Sequence, residues 1–288
     1  MVKTIGNPLS WLGQGLSSAG RTVGDATGAL SGEITEPPKV NALSEDDLRD
    51  ALRKGYADFS RFRSDVMFLV LLYPIIGICL SLIAFHAALL PLLFPLGAGF
   101  LLLGPIVAIG LYEMSRQAET RDDVNWSAAF SVLRAENIGP VLVMALYLLA
   151  LFVLWILAAM QIYAWTLGPE PPASVGGFLM DVVTTGPGWA MIIVGMGVGA
   201  VFAALVLAIS LTAFPMLIDR RVGLTVAIGT SLNVIRKSPV TVAKWGFIVA
   251  VMMLLGTLPF FLGLIIVLPI LGHATWYIYR AAVPRGQR

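Results

Sequence analysis

Cysteine, histidine and charged residues are all scarce in this chain. It has one cysteine and two histidines in 288 residues, and only 12% of its residues are charged. A single cysteine excludes a disulfide-stapled protein, and two histidines are too few for the haem and copper of an oxidase catalytic subunit. No Cys or His pair has the spacing of a zinc site. We therefore predict no metal, no cofactor and no catalytic residue.

Apolar residues are abundant instead, at 58% of the chain, and the mean hydropathy is +0.85. An ordinary soluble domain carries about 25% charged residues, so this composition excludes one. Because about 20 helical residues cross a bilayer core, the long apolar runs predict transmembrane helices. There are six such runs, at about 66–90, 93–113, 140–166, 189–218, 241–257 and 260–279. The predicted fold is all-α and polytopic, with the six helices arranged as three hairpins.

The basic residues predict the topology of these helices. All 19 Lys and Arg residues fall before the first span, between spans two and three, between spans four and five (with Lys244 at the edge of span five), or after the sixth. These segments lie on one side of the proposed membrane, and cytoplasmic loops carry such an excess. We expect a multi-pass protein with both termini in the cytoplasm.

The remaining segments are short. Residues 1–40 hold seven glycines and end in two prolines, which predicts a flexible cytoplasmic tail. Residues 41–65 predict a juxtamembrane amphipathic helix that begins with a capping box of Ser44 and Asp47. That helix lies on the membrane surface or packs against the bundle. Residues 66–283 form the transmembrane domain, and 284–288 a second short tail.

An internal repeat is also predicted. Residues 94–116 align without gaps to residues 258–280, and the pairs Pro105 with Pro269 and Arg116 with Arg280 are among the identities. The stretches before the odd-numbered spans resemble one another as well. We infer three parallel units, each an interfacial helix followed by a hairpin.

His273 is the main candidate for a polar or binding residue. It lies in the sixth span, roughly 10 Å from the inner end, and ionisable residues within a membrane are functional hypotheses by default. The alternative is a neutral imidazole that hydrogen-bonds a neighbouring helix.

Two other groups are candidates at the cytoplasmic span ends. Glu113 with Arg116, and Asp219 with Arg220, form either a polar cluster that gates a path or binds a headgroup, or ordinary span ends. Trp276 joins them as an aromatic residue near the inner interface.

Small residues on the fourth span predict helix packing. Gly195, Gly199 and Ala203 recur at every fourth position and allow another helix to approach closely. The partner helix lies within the bundle or in another subunit.

Three stretches resemble a known family. GFLLLGPIVAIGLYEMSR (99–116), FPMLIDRRVGL (214–224) and VLPILGHATWYIYR (267–280) are similar to a family of bacterial predicted integral membrane proteins, frequent in proteobacteria and classed as a domain of unknown function. The resemblance covers residues 45–283 and implies the bacterial inner membrane. It transfers no catalytic residue, although it implies that 272–276 and Asp219-Arg220 belong to the family pattern.

These observations favour a non-enzymatic scaffold, assembly factor or accessory subunit of a membrane complex. The expected partners are the lipid bilayer and other membrane subunits or further copies of the chain, and nothing indicates nucleic acid. The alternative is a transporter or channel for a small apolar or weakly polar solute. A membrane-embedded enzyme is the weakest of the three hypotheses, because no nucleophile–base pair is recognisable.

Overall fold

The computed structural model describes residues 36–62, 71–84, 87–121, 123–134 and 138–285. Most of the glycine-rich 1–40 segment, the start of the first predicted span and the last three residues lie outside these ranges. In the described part of the chain, four helices are long and apolar enough to cross a membrane: Ile138–Thr166, Gly186–Asp219, Pro239–Thr257 and Leu264–Ala282. They correspond to predicted spans three to six.

The helices are numbered here in chain order. They are α1 Glu45–Arg61, α2 Leu72–Ala84, α3 Leu93–Leu102, α4 Gly104–Val107, α5 Ile109–Ala118, α6 Ile138–Thr166, α7 Val175–Thr184, α8 Gly186–Ser210, α9 Ala213–Asp219, α10 Leu224–Lys237, α11 Pro239–Thr257 and α12 Leu264–Ala282. Two 3₁₀ helices, Ala87–Leu92 and Trp126–Arg134, precede α3 and α6.

The first two predicted spans are not single continuous helices in the described residues. In the first predicted span, the described residues form only the 13-residue helix α2 and the 3₁₀ helix that follows it. The second is divided into α3, α4 and α5, with breaks at Leu103 and Ala108. Pro105 has no amide hydrogen to donate to Leu101, so the helix is interrupted there. Whether this region crosses the membrane twice stays a prediction.

Helix α1 begins as the sequence predicts. The Ser44 hydroxyl accepts a hydrogen bond from the Asp47 amide, and the Asp47 carboxylate accepts one from the Ser44 amide, which confirms the capping box. Lys244 of α11 also binds Glu45 at this end, and its ammonium group holds the pKa of that carboxyl below its usual value. The start of α1 is therefore stabilised by its own capping box and by an ion pair with α11.

The sequence spacing predicts an apolar stripe on α1 made of Leu48, Leu52, Tyr56, Phe59 and Phe62. Leu48, Phe59 and Phe62 are buried and Leu52 is half-buried, so Tyr56 is the member that departs from this prediction. Tyr56 is 60% exposed, whereas Ala51, Gly55 and Asp58 are buried together with Leu48 and Phe59. A Cβ atom at Gly55 would lie 2.6 Å from the Ile270 carbonyl oxygen and 2.7 Å from the Ala274 amide nitrogen. The backbones of α1 and α12 therefore touch, so α1 packs against the bundle along this side.

Helix α12 is in turn packed against α5 on another side. A Cβ at Gly272 would lie 2.5 Å from Cδ1 of Leu111, and Leu111 and Gly272 are both buried. Helix α12 thus lies between two elements that are distant in sequence, α1 and α5. This three-helix contact positions the site described below.

The fourth span bends where α8 meets α9. Pro215 cannot donate a hydrogen bond to the Leu211 carbonyl. The Ser231 hydroxyl of α10 donates to the Ala208 carbonyl at 2.7 Å and lies 3.5 Å from the Thr212 amide nitrogen. The Ser231 side chain of α10 therefore takes the place of backbone hydrogen bonds within the span. Such an insertion is a recognised cause of a helix kink.

The first and last described segments meet at one end of the bundle. The Asn41 amide donates to the Ala282 carbonyl at 2.8 Å, and the Lys237 ammonium donates to the Val40 carbonyl at 2.6 Å. Helices α9 and α10 lie at this same end, and we call it the charged end. Helix α7 lies at the other end, between α6 and α8, and its Ser174 cap accepts from the Gly177 amide.

Gly55→Leu is predicted to destabilise the fold. The new side chain would meet backbone atoms that no rotamer change can move, and overpacking costs about 1–3 kcal/mol or more. This exceeds the gain of about 1 kcal/mol from replacing glycine in a helix. The readouts are the melting temperature in mild detergent and the rate of tryptic cleavage within α1.

Gly229→Leu in α10 is the matched control, because a Cβ there meets nothing within 4 Å. Equal melting temperatures for the two variants would contradict the close contact of α1 with α12.

Candidate functional site

The centre of the site is a buried polar cluster contributed by three helices. Asp58 comes from α1, Ser115 from α5, and His273 and Tyr277 from α12; we call these four residues the Asp58 cluster. Ser115 and His273 have no exposed surface, and Asp58 is 8% exposed. The contact of Gly55 with α12 brings Asp58, one turn later, to this position.

The hydrogen bonds of the cluster converge on the Asp58 carboxylate. The Ser115 hydroxyl donates to Asp58 Oδ2 at 2.7 Å, and the Tyr277 hydroxyl donates to the same oxygen at 2.9 Å. Ser115 Oγ also lies 2.7 Å from His273 Nδ1, while that nitrogen is 3.9 Å from Asp58 Oδ2. Ser115 therefore stands between the carboxylate and the imidazole.

This arrangement fixes the imidazole tautomer. With the Asp58 carboxylate ionised, the single Ser115 hydroxyl proton goes to Asp58, so His273 must donate from Nδ1. Its Nε2 then carries a lone pair. That atom is buried and makes no hydrogen bond within the part of the chain that the structure describes.

The order of the groups differs from a nucleophile–base–acid triad. In a serine triad the imidazole lies between the hydroxyl and the carboxylate, where it takes the hydroxyl proton and is oriented by the acid. Here the carboxylate holds the hydroxyl directly. The geometry is suited to joining α1, α5 and α12 rather than to activating Ser115.

A second cluster surrounds Arg280 at the charged end. Arg280 donates to both oxygens of Asp219 at 2.6 and 2.8 Å, and to both oxygens of Glu119 at 2.8 and 3.0 Å. Its guanidinium lies 4.5 Å from the centre of the Trp276 ring, whose indole nitrogen donates to Glu119 at 2.8 Å. One arginine thus binds two carboxylates bidentately, which is the strongest form of this interaction.

Arg220 extends this second cluster. It donates to the Tyr279 hydroxyl at 3.1 Å and to the Pro284 carbonyl at 2.9 Å, and Tyr279 donates to Asp219 at 2.7 Å. Arg285 binds Glu119. We call Glu119, Asp219, Arg220, Trp276, Tyr279, Arg280 and Arg285 the Arg280 cluster.

The predicted pair of Glu113 and Arg116 lies beside it. Arg116 donates to the two oxygens of Glu113 at 2.7 Å each, and Gln117 and Ser131 also donate to this buried carboxylate. The bonded Glu113 carboxylate raises the pKa of Arg116 above its ordinary value, and the charge of Asp219 adds to this. The structure therefore places both predicted charged pairs and Trp276 at one end, with His273 in the neighbouring cluster.

The predicted small residues of α8 have separate environments. A Cβ at Gly199 would lie 3.2 Å from the Trp155 ring of α6, so this glycine packs within the bundle. Gly195 borders a cavity, and Ala203 is exposed. The three do not form one continuous contact with a second helix of the described chain.

Sequence reasoning missed Asp58, Ser115, Tyr277 and Glu119. The available signal was the spacing of Leu48, Ala51, Gly55 and Asp58, which places an aspartate on the same side of α1 as three small or apolar residues. Ser115 and Tyr277 are short-range neighbours of Arg116 and His273, but no pattern in the sequence pairs them with α1.

Comparison with known proteins supports the membrane class. No curated protein and no solved structure matches the chain. Residues 92–219, somewhat less than half of the chain, match a family model described as "Predicted integral membrane protein (DUF2189)". The match runs from α3 to α9 and includes Glu113, Arg116 and Asp219, whereas α1 and α12 lie outside it. With its four membrane-length helices, the chain is accordingly a predicted integral membrane protein similar to that family over residues 92–219.

Proposed function

We propose that the chain is a non-enzymatic structural component of a membrane complex, a scaffold, assembly factor or accessory subunit. Its location would be the bacterial inner membrane, with both termini on the cytoplasmic side. One observation carries this proposal: the site's charged side chains bind one another and are largely buried. Groups used in this way hold helices together.

The Asp58 cluster supports this role. It joins α1, which is rich in exposed charges, to two helices of the bundle, through a carboxylate that accepts two hydroxyl donors. A buried carboxylate is costly unless its hydrogen bonds are made, so these contacts specify one position for α1. A fixed helix at the membrane surface is a suitable platform for a cytoplasmic partner.

The outward side of α8 supports contact with a second membrane protein. Gly197, Ala200 and Ala204 are exposed there, at spacings of three and four residues. Lipid-facing positions of α6 are instead large, as Leu142, Leu146 and Leu157 illustrate. Small residues on an exposed helix side allow the backbone of another helix to approach closely.

Asp58→Ala is predicted to destabilise the protein by about 1–3 kcal/mol, because the half-buried Tyr277 hydroxyl loses its acceptor and the buried Ser115 hydroxyl loses one of its two partners. The measurement is chemical or thermal unfolding in mild detergent, in a double-mutant cycle with Tyr277→Phe. The two changes should be less than additive, since both remove the same hydrogen bond. Asp46→Ala on the exposed side of α1 is the control. An equal effect of the two alanine variants would contradict the role of Asp58 in holding α1 against the bundle.

Gly197→Leu is predicted to remove copurifying membrane proteins. A leucine side chain would separate the two backbones at a small-residue contact. The measurement is quantitative mass spectrometry of material purified in mild detergent. Gly176→Leu in α7 is the matched control, since a Cβ at either glycine meets nothing within 4 Å. A wild-type protein that purifies alone, or partners retained by Gly197→Leu, would refute this contact surface.

The alternative of a transporter or channel is favoured by the Nε2 atom of His273, which makes no hydrogen bond to any residue that the structure describes. If it holds, wild-type protein in liposomes passes small weakly polar solutes, and His273→Ala abolishes the flux. Thr257→Ala is the control, because the Thr257 hydroxyl bonds only its own helix at Met253. A wild type that gives no flux above empty liposomes would count against transport and favour the structural role.

A further inference from the structure

An apolar cavity lies at the end of the bundle away from the charged end. Its volume is about 480 Å³, it is partly open to the outside, and it is lined by the first 3₁₀ helix and helices α3, α6, α7 and α8. Phe94, Trp155, Phe178 and Met191 contribute rings and a thioether, and Gly195 contributes bare backbone. Gly195 precedes Asp219 by 24 residues, so the cavity and the Arg280 cluster are roughly 35 Å apart along the span.

The polar groups in the cavity wall are already bonded within the protein. The Trp155 indole nitrogen donates to the Pro95 carbonyl at 2.8 Å, and the Tyr163 hydroxyl donates to the Glu170 carbonyl at 2.7 Å. A buried water needs two or more polar partners, which this wall does not offer. The cavity is therefore suited to hydrocarbon.

The depth of the cavity matches one leaflet of a bilayer. Trp165 and Trp189 are exposed beside it, and indole rings favour the headgroup zone. Trp155 lies ten residues before Trp165 on α6, about 15 Å deeper, which is half of a hydrocarbon core of about 30 Å. The wall from Tyr163 to Trp155 covers about 12 Å of that depth, which is most of one leaflet.

The size of the cavity favours a chain over a helix. A helix is about 10 Å across and rises about 5.4 Å per turn, so a space of this volume holds roughly one turn. A transmembrane helix of a partner, or of a second copy, would lie mostly outside it.

The carboxylates near the cavity favour one kind of lipid headgroup. The sequence has no Lys or Arg between residues 135 and 219, whereas Glu170 and Asp181 are exposed on the connection that borders the cavity. Asp181 lies close enough to Tyr163, a lining residue, for an electrostatic interaction. A carboxylate there attracts an ammonium headgroup and repels an anionic one.

We propose that this cavity binds one acyl chain of an amine-bearing zwitterionic phospholipid, with the ammonium group near Asp181. The ligand class is that of phosphatidylethanolamine. This site is separate from the Asp58 and Arg280 clusters and does not depend on the structural role proposed above.

Quenching of Trp155 by brominated acyl chains tests the proposal. The full-length protein is reconstituted in phosphatidylcholine nanodiscs that contain brominated phosphatidylethanolamine or brominated phosphatidylglycerol, and the Trp155 signal is the difference from Trp155→Phe. We expect stronger quenching by the brominated phosphatidylethanolamine. Asp181→Asn should remove that preference.

Gly195→Leu should abolish the Trp155 quenching, because a Cβ there meets nothing within 4 Å and the leucine would fill the cavity. Gly195→Ala and Ala190→Leu are the controls: the first removes the glycine with little added bulk, and the second adds the same bulk on an exposed position of α8. Both should be quenched like the wild type.

Quenching that is unchanged in Gly195→Leu, or equal for the two brominated lipids in the wild type, would overturn the proposal. So would a wild-type dimer in which Trp155 is shielded from both lipids, since a second copy would then cover the cavity. Native mass spectrometry of the wild type gives a measurement that needs no variant. It should show one retained phosphatidylethanolamine, and retention of phosphatidylglycerol instead would also refute the proposal.

Discussion

The direct contact between the backbones of α1 and α12 is the constraint on which the rest of the site depends. Only glycine fits at position 55, where a Cβ would come within 3 Å of backbone atoms of α12. At that separation Asp58, one turn further along α1, reaches both the Tyr277 hydroxyl of α12 and the Ser115 hydroxyl of α5. A larger residue at position 55 would move the carboxylate away from both donors, so that the buried carboxylate would lose two hydrogen bonds.

The charged side chains at the charged end contribute to the predicted orientation and also link helices of the bundle. Basic residues on one side of a membrane orient the protein, but a buried arginine is stable only when its donors are satisfied. Arg280 meets this requirement by binding two carboxylates at once and by stacking on Trp276. Arg116, whose side chain is partly exposed, binds both oxygens of the buried Glu113 carboxylate. The same residues thus supply both the charge asymmetry of the sequence and specific links among α5, α9 and α12.

Much of the helical framework could be predicted from the sequence, and much of the site could not. Apolar run length gave four membrane-length helices, and the local pattern of Ser44 and Asp47 gave the start of α1, because both depend on short-range chemistry. Breaks at Leu103 and Ala108 divide the predicted span 93–113 on either side of Pro105, an interruption that a proline within a helix favours. On α1 the expected burial of Phe59 and Phe62 is confirmed, whereas Tyr56 is exposed and Gly55 makes the close approach to α12. Asp58 and Ser115 are 57 residues apart, so only the fold pairs them.

The two ends of the molecule differ in how much of their surface is buried within the chain. At the charged end, most residues of α9 and of the second half of α12 are buried, and the charged side chains Asp219 and Arg280 bind each other. At the other end, only 6% of the most apolar window of the fourth span is buried, and the neighbouring cavity is apolar. A membrane supplies hydrocarbon for such surfaces, so they need no partner within the chain, whereas buried charges do. Packing within the chain is therefore most extensive at the charged end, where buried charges require partners. The apolar end keeps exposed surfaces to which other molecules can bind.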